Sequence, residues 1–107
     1  MEKKTKVVNL LLTGKQKSYL RSRANTMNPI AQVGKGGITD AVVTSVEQAL
    51  TARELVKVTV LNNCLQPVQE IAQGLAQRTN STVVQQLGKK IVLYRPNSQH
   101  PVLNLPE

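Results

Sequence analysis

Phenylalanine and tryptophan are absent from this 107-residue sequence, and Tyr19 and Tyr94 are its only aromatic residues. Surfaces of the RRM or OB type hold unpaired bases by stacking them on several rings, so a platform of that kind is excluded. The single cysteine, Cys64, rules out an internal disulfide framework and a cysteine-rich zinc site, and it suits a reducing, cytoplasmic setting. The apolar stretch from Val7 to Leu12 is interrupted by Asn9 and is too short for a signal peptide. No run approaches the roughly 20 apolar residues of a membrane span, and Glu2 stands where myristoylation needs glycine. A soluble chain with no membrane partner is expected. Its length suffices for one domain with one core, and its 40% hydrophobic content suits a globular protein rather than a disordered one.

Acidic residues are scarce, with 6 Asp and Glu against 14 Lys and Arg for a net charge of +8. The excess is concentrated. Residues 3 to 39 carry Lys3, Lys4, Lys6, Lys15, Lys17, Arg21, Arg23 and Lys35 and no acidic residue, while the remainder is close to balanced. A positive field at one end of a chain favours polyanions such as phosphate backbones, whereas solubility alone requires no clustering.

Residues 1–9 read as a mobile basic arm, residues 10–96 as the folded domain, and residues 97–107, with Pro101 and Pro106, as an extended tail. Thr13 and Gln16 form a capping-box pattern, and Leu20, Ala24 and Met27 follow at helical spacing, so a first helix is predicted from Thr13 to about Asn25, with Asn28 and Pro29 as its stop. Ile30 to Val33 is a short strand. A second helix begins near Thr39, with Ile38, Val42, Val46, Ala49 and Leu50 as its apolar stripe and Asp40 in its first turn. Leu55 to Leu61 is a strand with Val56, Val58 and Val60 on one face and Lys57 and Thr59 on the other. Pro67 fits the first turn of a third helix carrying Val68, Ile71, Ala72, Leu75 and Ala76. Thr82 to Leu87 and Ile91 to Arg95 then form a hairpin around Gly88 and Lys89, a pair suited to a type II′ turn. The expected fold is a single α/β domain in the order α-β-α-β-α-β-β with a four-stranded mixed sheet. Two β-α-β units are expected to give parallel neighbours, and the hairpin an antiparallel pair.

The sharpest local signal is Gly34-Lys35-Gly36-Gly37, placed after a strand and before a helix. Glycines bring backbone N–H groups close to a phosphate, the following helix adds partial positive charge, and Lys35 adds a full one. A G-x-x-G loop clamps nucleotide backbone in KH domains, although there it joins two helices. The dinucleotide fingerprint fails because Thr39 stands where a third glycine is needed, and the Walker pattern is missing. A plain chain-reversing turn is the alternative. On the first helix Lys17 and Arg21 form a like-charge i, i+4 pair, which costs a few tenths of a kcal/mol and so suggests an external anion. Lys15, Tyr19 and Arg23 form a second stripe, and Lys89, Lys90 and Arg95 are candidates to extend the surface. A solvated helix face is the alternative here. His100 lacks a partner at recognisable spacing and reads as an exposed tail residue, and Cys64 as a small packed or turn residue, so an enzyme is not expected.

Taken together, Thr13, Lys15-Gln16-Lys17, Leu20-Arg21, Pro29, Val33-Gly34-Lys35-Gly36-Gly37-Ile38-Thr39, Ala49-Leu50 and Arg53-Glu54-Leu55-Val56-Lys57-Val58 resemble the CRM domain family. Leu87-Gly88-Lys89 and Ile91 to Pro96 extend the likeness, which covers about residues 12–96. The family's bacterial stand-alone members are the YhbY-like proteins, associated with precursors of the large ribosomal subunit, and its plant relatives act in intron splicing. The resemblance implies a fold similar to the C-terminal domain of translation initiation factor three. It also implies RNA binding through Gly34, Lys35, Gly36 and Gly37 together with the basic residues Lys15, Lys17, Arg21 and Arg23, and, less directly, Lys57. The segment Asn62 to Gln66 departs from the family pattern, where charged residues are commoner. The expectation is therefore a cytoplasmic, non-enzymatic protein that binds ribosomal RNA and assists large-subunit assembly, without cofactor, metal or small-molecule substrate. A basic architectural protein for duplex DNA is the alternative, and a small ribonuclease using His100 a more distant one.

Overall fold

The computed structural model describes residues 12–97 and 99–106, so the basic arm expected over residues 1–9 lies outside the described residues. Seven elements follow in the expected order: α1 (Gly14–Ala24), β1 (Ala31–Val33), α2 (Asp40–Arg53), β2 (Leu55–Val60), α3 (Val68–Thr79), β3 (Thr82–Leu87) and β4 (Lys90–Tyr94). Local chemistry sets their boundaries. The Gln16 amide donates to Thr13 Oγ1 at 3.1 Å while the Thr13 amide donates to Gln16 Oε1 at 3.0 Å, which completes the capping box of α1. Thr39 caps α2 by accepting from the Val42 amide at 3.2 Å. Pro67 precedes α3 instead of entering it: its ψ of 149° keeps it extended while its carbonyl accepts from the amides of Glu70 and Ile71. Leu87 pairs with Lys90, leaving Gly88 and Lys89 as a two-residue turn with Gly88 at φ 59°.

The strand order is β1-β2-β4-β3. β1 and β2 are parallel neighbours as expected, with Ala31 opposite Val58 and Val33 opposite Val60. The second expected parallel pair does not form. β4 lies between β2 and β3 and runs antiparallel to both. Burial explains the insertion: Ile91, Val92, Leu93 and Tyr94 are all buried, so β4 needs cover on both faces and both edges, whereas β3 ends in exposed Gln86 and Leu87 and suits the sheet's margin.

The sheet separates two cores. On one face, Val46 and Leu50 of α2 and Ile71 and Leu75 of α3 pack on Val33, Val56, Val58, Val60, Ile91 and Leu93. On the other, Leu20 and Ala24 of α1 pack on Leu55, Val84, Val92 and Tyr94, joined by Leu103 and Leu105 of the tail. By strand alternation β3 supplies Val83 to the first core and Val84 to the second, and a register shift between Val83 and Gln85 brings Gln85 opposite Val92. Lys57 and Thr59 fall on the α1 side by strand alternation and are half-buried. No helix among the described residues is long and apolar enough to cross a membrane.

The tail carries neither helix nor strand, yet it is bound through Glu54. This residue caps α2 in the left-handed region at φ 66°, donates its amide to Leu50 O at 2.8 Å, and is only 2% exposed. Its carboxylate accepts from the amides of Asn97, Val102 and Leu103, the last two at 2.9 and 2.7 Å. A buried charge needs such donors to offset its lost hydration. Burial, aided by the Glu54 charge, raises the Tyr94 phenol above its usual 10.0. Arg95 also turns inward: Nη1 donates to Glu47 Oε1 and to Thr79 O, both at 2.7 Å, and Nη2 to Thr51 Oγ1 at 3.1 Å. It clasps α2 to the end of α3 and so is withdrawn from the external basic surface that its charge suggested. Glu54→Ala is expected to cost about 2–4 kcal/mol in urea unfolding, since three donors lose one charged acceptor. The same substitution should speed hydrogen exchange at the Val102 and Leu103 amides well ahead of the sheet; unchanged exchange there would contradict the latch.

Candidate nucleic-acid interface

The glycine loop starts where β1 ends. The Gly37 amide donates to Gly34 O at 3.0 Å, closing a four-residue turn with Lys35 and Gly36 at its two central positions. One loop amide is therefore spent inside the turn. The Lys35 and Gly36 amides have no acceptor among the described residues, and both residues are exposed. Lys35 thus places a cation and a backbone donor at the same corner.

A second loop, residues 61–67, backs the first. A Cβ on Gly34 would stand 3.1 Å from Asn63 Oδ1, and one on Gly37 would stand 3.0 Å from Gln66 Oε1. Gly37 also holds φ at 70°, where a side chain is strained. Packing thus accounts for the two outer glycines, whereas Gly36 has only the Thr39 methyl at 3.4 Å. Beyond the loop, Ile38 reaches α3 so closely that a Cβ on Gly74 would lie 2.6 Å from its Cδ1. That contact fixes the loop's exit. Asp40, a rival for anions at the α2 terminus, is paired with Arg78 at 3.3 Å on the surface.

The basic residues of α1 divide between its flanks. Leu20 and Ala24 face the sheet, and Arg21 and Arg23 lie about 160° apart around the helix axis. The tail occupies the flank of Gln16, whose Nε2 donates to Pro106 O at 3.0 Å, and Tyr19 packs with the same cluster as Leu103 and Leu105. Lys15, Lys17 and Arg23 are exposed and Arg21 is half-exposed. Arg23 lines a cleft with Arg53, Leu55 and the tail, at the start of β2. The glycine loop sits past the other end, because the Leu61 amide donates to Val33 O. Six residue steps separate Leu55 from Leu61, or about 20 Å of strand, with Lys57 between them on the α1 side. Arg23 therefore lies at the Leu55 end of β2 and the glycine loop at its Leu61 end.

Several contributors escaped the sequence reading. Asn63 and Gln66 brace the loop from a segment that pattern alone left aside, and Leu65 beside them is 81% exposed. Arg53 lines the same cleft as Arg23, because α1 packs on Leu55 just after the end of α2. Cys64 is half-buried against the core, its Sγ donating to Gln66 O at 3.6 Å. His100 is exposed, its amide donating to Asn97 Oδ1 at 3.1 Å. Gly37→Ala is expected to cost about 1–3 kcal/mol through strain and the Gln66 contact, whereas Gly36→Ala should change stability by less than about 0.5 kcal/mol. Urea unfolding of the two variants compares them directly; equal losses would remove the distinction between braced and free glycines.

Residues 12–95 match the family model described as the CRS1 / YhbY (CRM) domain. The chain is 45% identical over 96 residues to a Bacillus subtilis protein named Probable RNA-binding protein YqeI, covering 90% of this chain and 100% of that one. It is 36% identical over 95 residues to a Haemophilus influenzae protein named RNA-binding protein, covering 89% and 95%. Among solved structures, a hypothetical Staphylococcus aureus protein suggested to bind RNA, SAV1595, aligns with a TM-score of 0.74 at 44% identity, covering 90% of this chain and all of that one.

Proposed function

Because the chain belongs to the CRS1 / YhbY (CRM) domain family, we propose that it is an RNA-binding module that acts without catalysis. Its target in this reading is ribosomal RNA in large-subunit precursors, bound in the cytoplasm during assembly. The observation that carries the reading is Lys35: an exposed cation at the corner of a turn whose ends are held by Asn63, Gln66 and Ile38. The packed turn presents its backbone donors without reordering, and the flexible Lys35 ammonium adds the charge beside them. Lys15, Lys17, Arg21, Arg23 and Lys57 extend the contact, with Gly34, Gly36 and Gly37 keeping the backbone accessible. The relatives named as RNA-binding proteins support RNA over other polyanions. With two tyrosines in the chain and one of them buried, readout of bases is thin and phosphate contact dominates.

Binding to structured ribosomal RNA fragments should weaken steeply with salt, with a logarithmic slope reflecting roughly four to six phosphates at about 0.7–0.9 each. A flat salt dependence would sink the phosphate reading. Lys35→Glu should weaken binding more than Lys4→Glu, although both change the charge equally; equal effects would mean that net charge alone matters. Competition with duplex DNA at matched salt separates an RNA binder from a general nucleic-acid binder.

A further inference from the structure

The cleft at the start of β2 has a volume of about 390 Å³, at the small end of the range for ligand sites. Its rim carries Arg23 and Arg53 together with the hydroxyls of Ser22 and Thr26. The Thr26 hydroxyl donates to Arg23 O at 3.3 Å, which leaves its oxygen as an acceptor. Met27, Val102 and Leu103 supply the accessible apolar part of the lining, around a nearly buried Leu55. Among the described residues no acidic side chain lines it, although Glu54 adjoins Arg53 in sequence, because the Glu54 carboxylate is buried on the tail amides. Two guanidinium groups beside an apolar floor match one chemistry above others: a flat heterocycle attached to a phosphate. Guanidinium planes stack on bases and pair with phosphate oxygens in a fork, which lysine does not. The volume suits one such unit.

We infer that this cleft receives a single unpaired nucleotide of the bound RNA, its base against Met27 and Leu103 and its phosphate between Arg23 and Arg53. The inference rests on the RNA-binding reading above and adds to it a reason for preferring interrupted helices. The cleft and the glycine loop are about 20 Å apart along β2, so one folded RNA reaches both. The Glu54 latch holds the Leu103 wall in place, which makes the site part of the folded scaffold.

The test uses the full chain, labelled at its methionine methyl groups, and two RNA hairpins that differ by one bulged nucleotide in the stem. Met27 and Met1 are the only methionines, so the reporter signal is readily assigned. The bulged hairpin should bind about tenfold tighter, the worth of one charge-assisted hydrogen bond, and should shift the Met27 methyl where the uninterrupted stem does not. Arg53→Lys keeps the charge and should reduce that preference to about twofold, whereas Lys35→Glu should weaken both hairpins and preserve the ratio. Equal affinities, an unmoved Met27 methyl, or a preference that survives Arg53→Lys would overturn the inference while leaving a Lys35-dependent RNA binder intact. A nucleoside 5′-monophosphate that shifts Met27 as strongly as the RNA would overturn it in favour of a small-molecule site. Failure of both hairpins to bind at low salt would overturn the RNA-binding reading and this inference together.

Discussion

β2 and β4 must be covered on both faces, and the arrangement of every other element follows from that requirement. Val56, Val58, Val60, Ile91 and Leu93 call for α2 and α3 on one side; Leu55, Val92 and Tyr94 call for α1 and the tail on the other. Each buried aliphatic side chain contributes on the order of 1.5–3 kcal/mol, so neither face is left open without a large loss. The crossing of β1 into α2 then carries the chain over the end of the sheet, and the glycine loop is the segment that makes the passage. Its position is a by-product of the core, while its chemistry is its own.

The interface reflects this division. The turn at Gly34–Gly37 is held from behind by uncharged amide side chains, Asn63 and Gln66, so bracing it does not neutralise Lys35. Cations that the fold uses are treated differently: Arg95 is bound to Glu47 and to backbone oxygen, and Arg78 to Asp40. Among the described residues, Arg78 and Arg95 are thus paired with carboxylates, whereas Lys35 is in no ion pair.

Much of this was legible in the sequence. The capping box at Thr13, the helical stripes and the alternation of Val56, Val58 and Val60 located these elements to within a residue or two, because such signals depend on neighbours in the chain. Strand order was not read, although the unbroken run Ile91-Val92-Leu93-Tyr94 carries the mark of a strand buried on both faces. The roles of Glu54 and Arg95 were illegible for a different reason. An isolated glutamate or arginine reads as solvent-exposed, and the groups that bury them are backbone amides and carbonyls far along the chain. The glycine spacing marked the loop, but the division of labour within it depends on Asn63 and Gln66, which no local pattern connects to it. The tail's prolines argued against helix and strand; its attachment to Glu54 left no trace because that contact operates through main-chain donors.

The central place of β4 bears on how the molecule comes into being. β4 follows every other helix and strand in the chain, yet it pairs with both β2 and β3 and floors both cores. During synthesis, the emerging β2 has only the three-residue β1 to pair with, and α1 waits with its apolar face against a half-built surface. Assembly of the sheet is consequently held back until β4 has been made, and then proceeds as one event in which that strand closes the gap between partners made long before it.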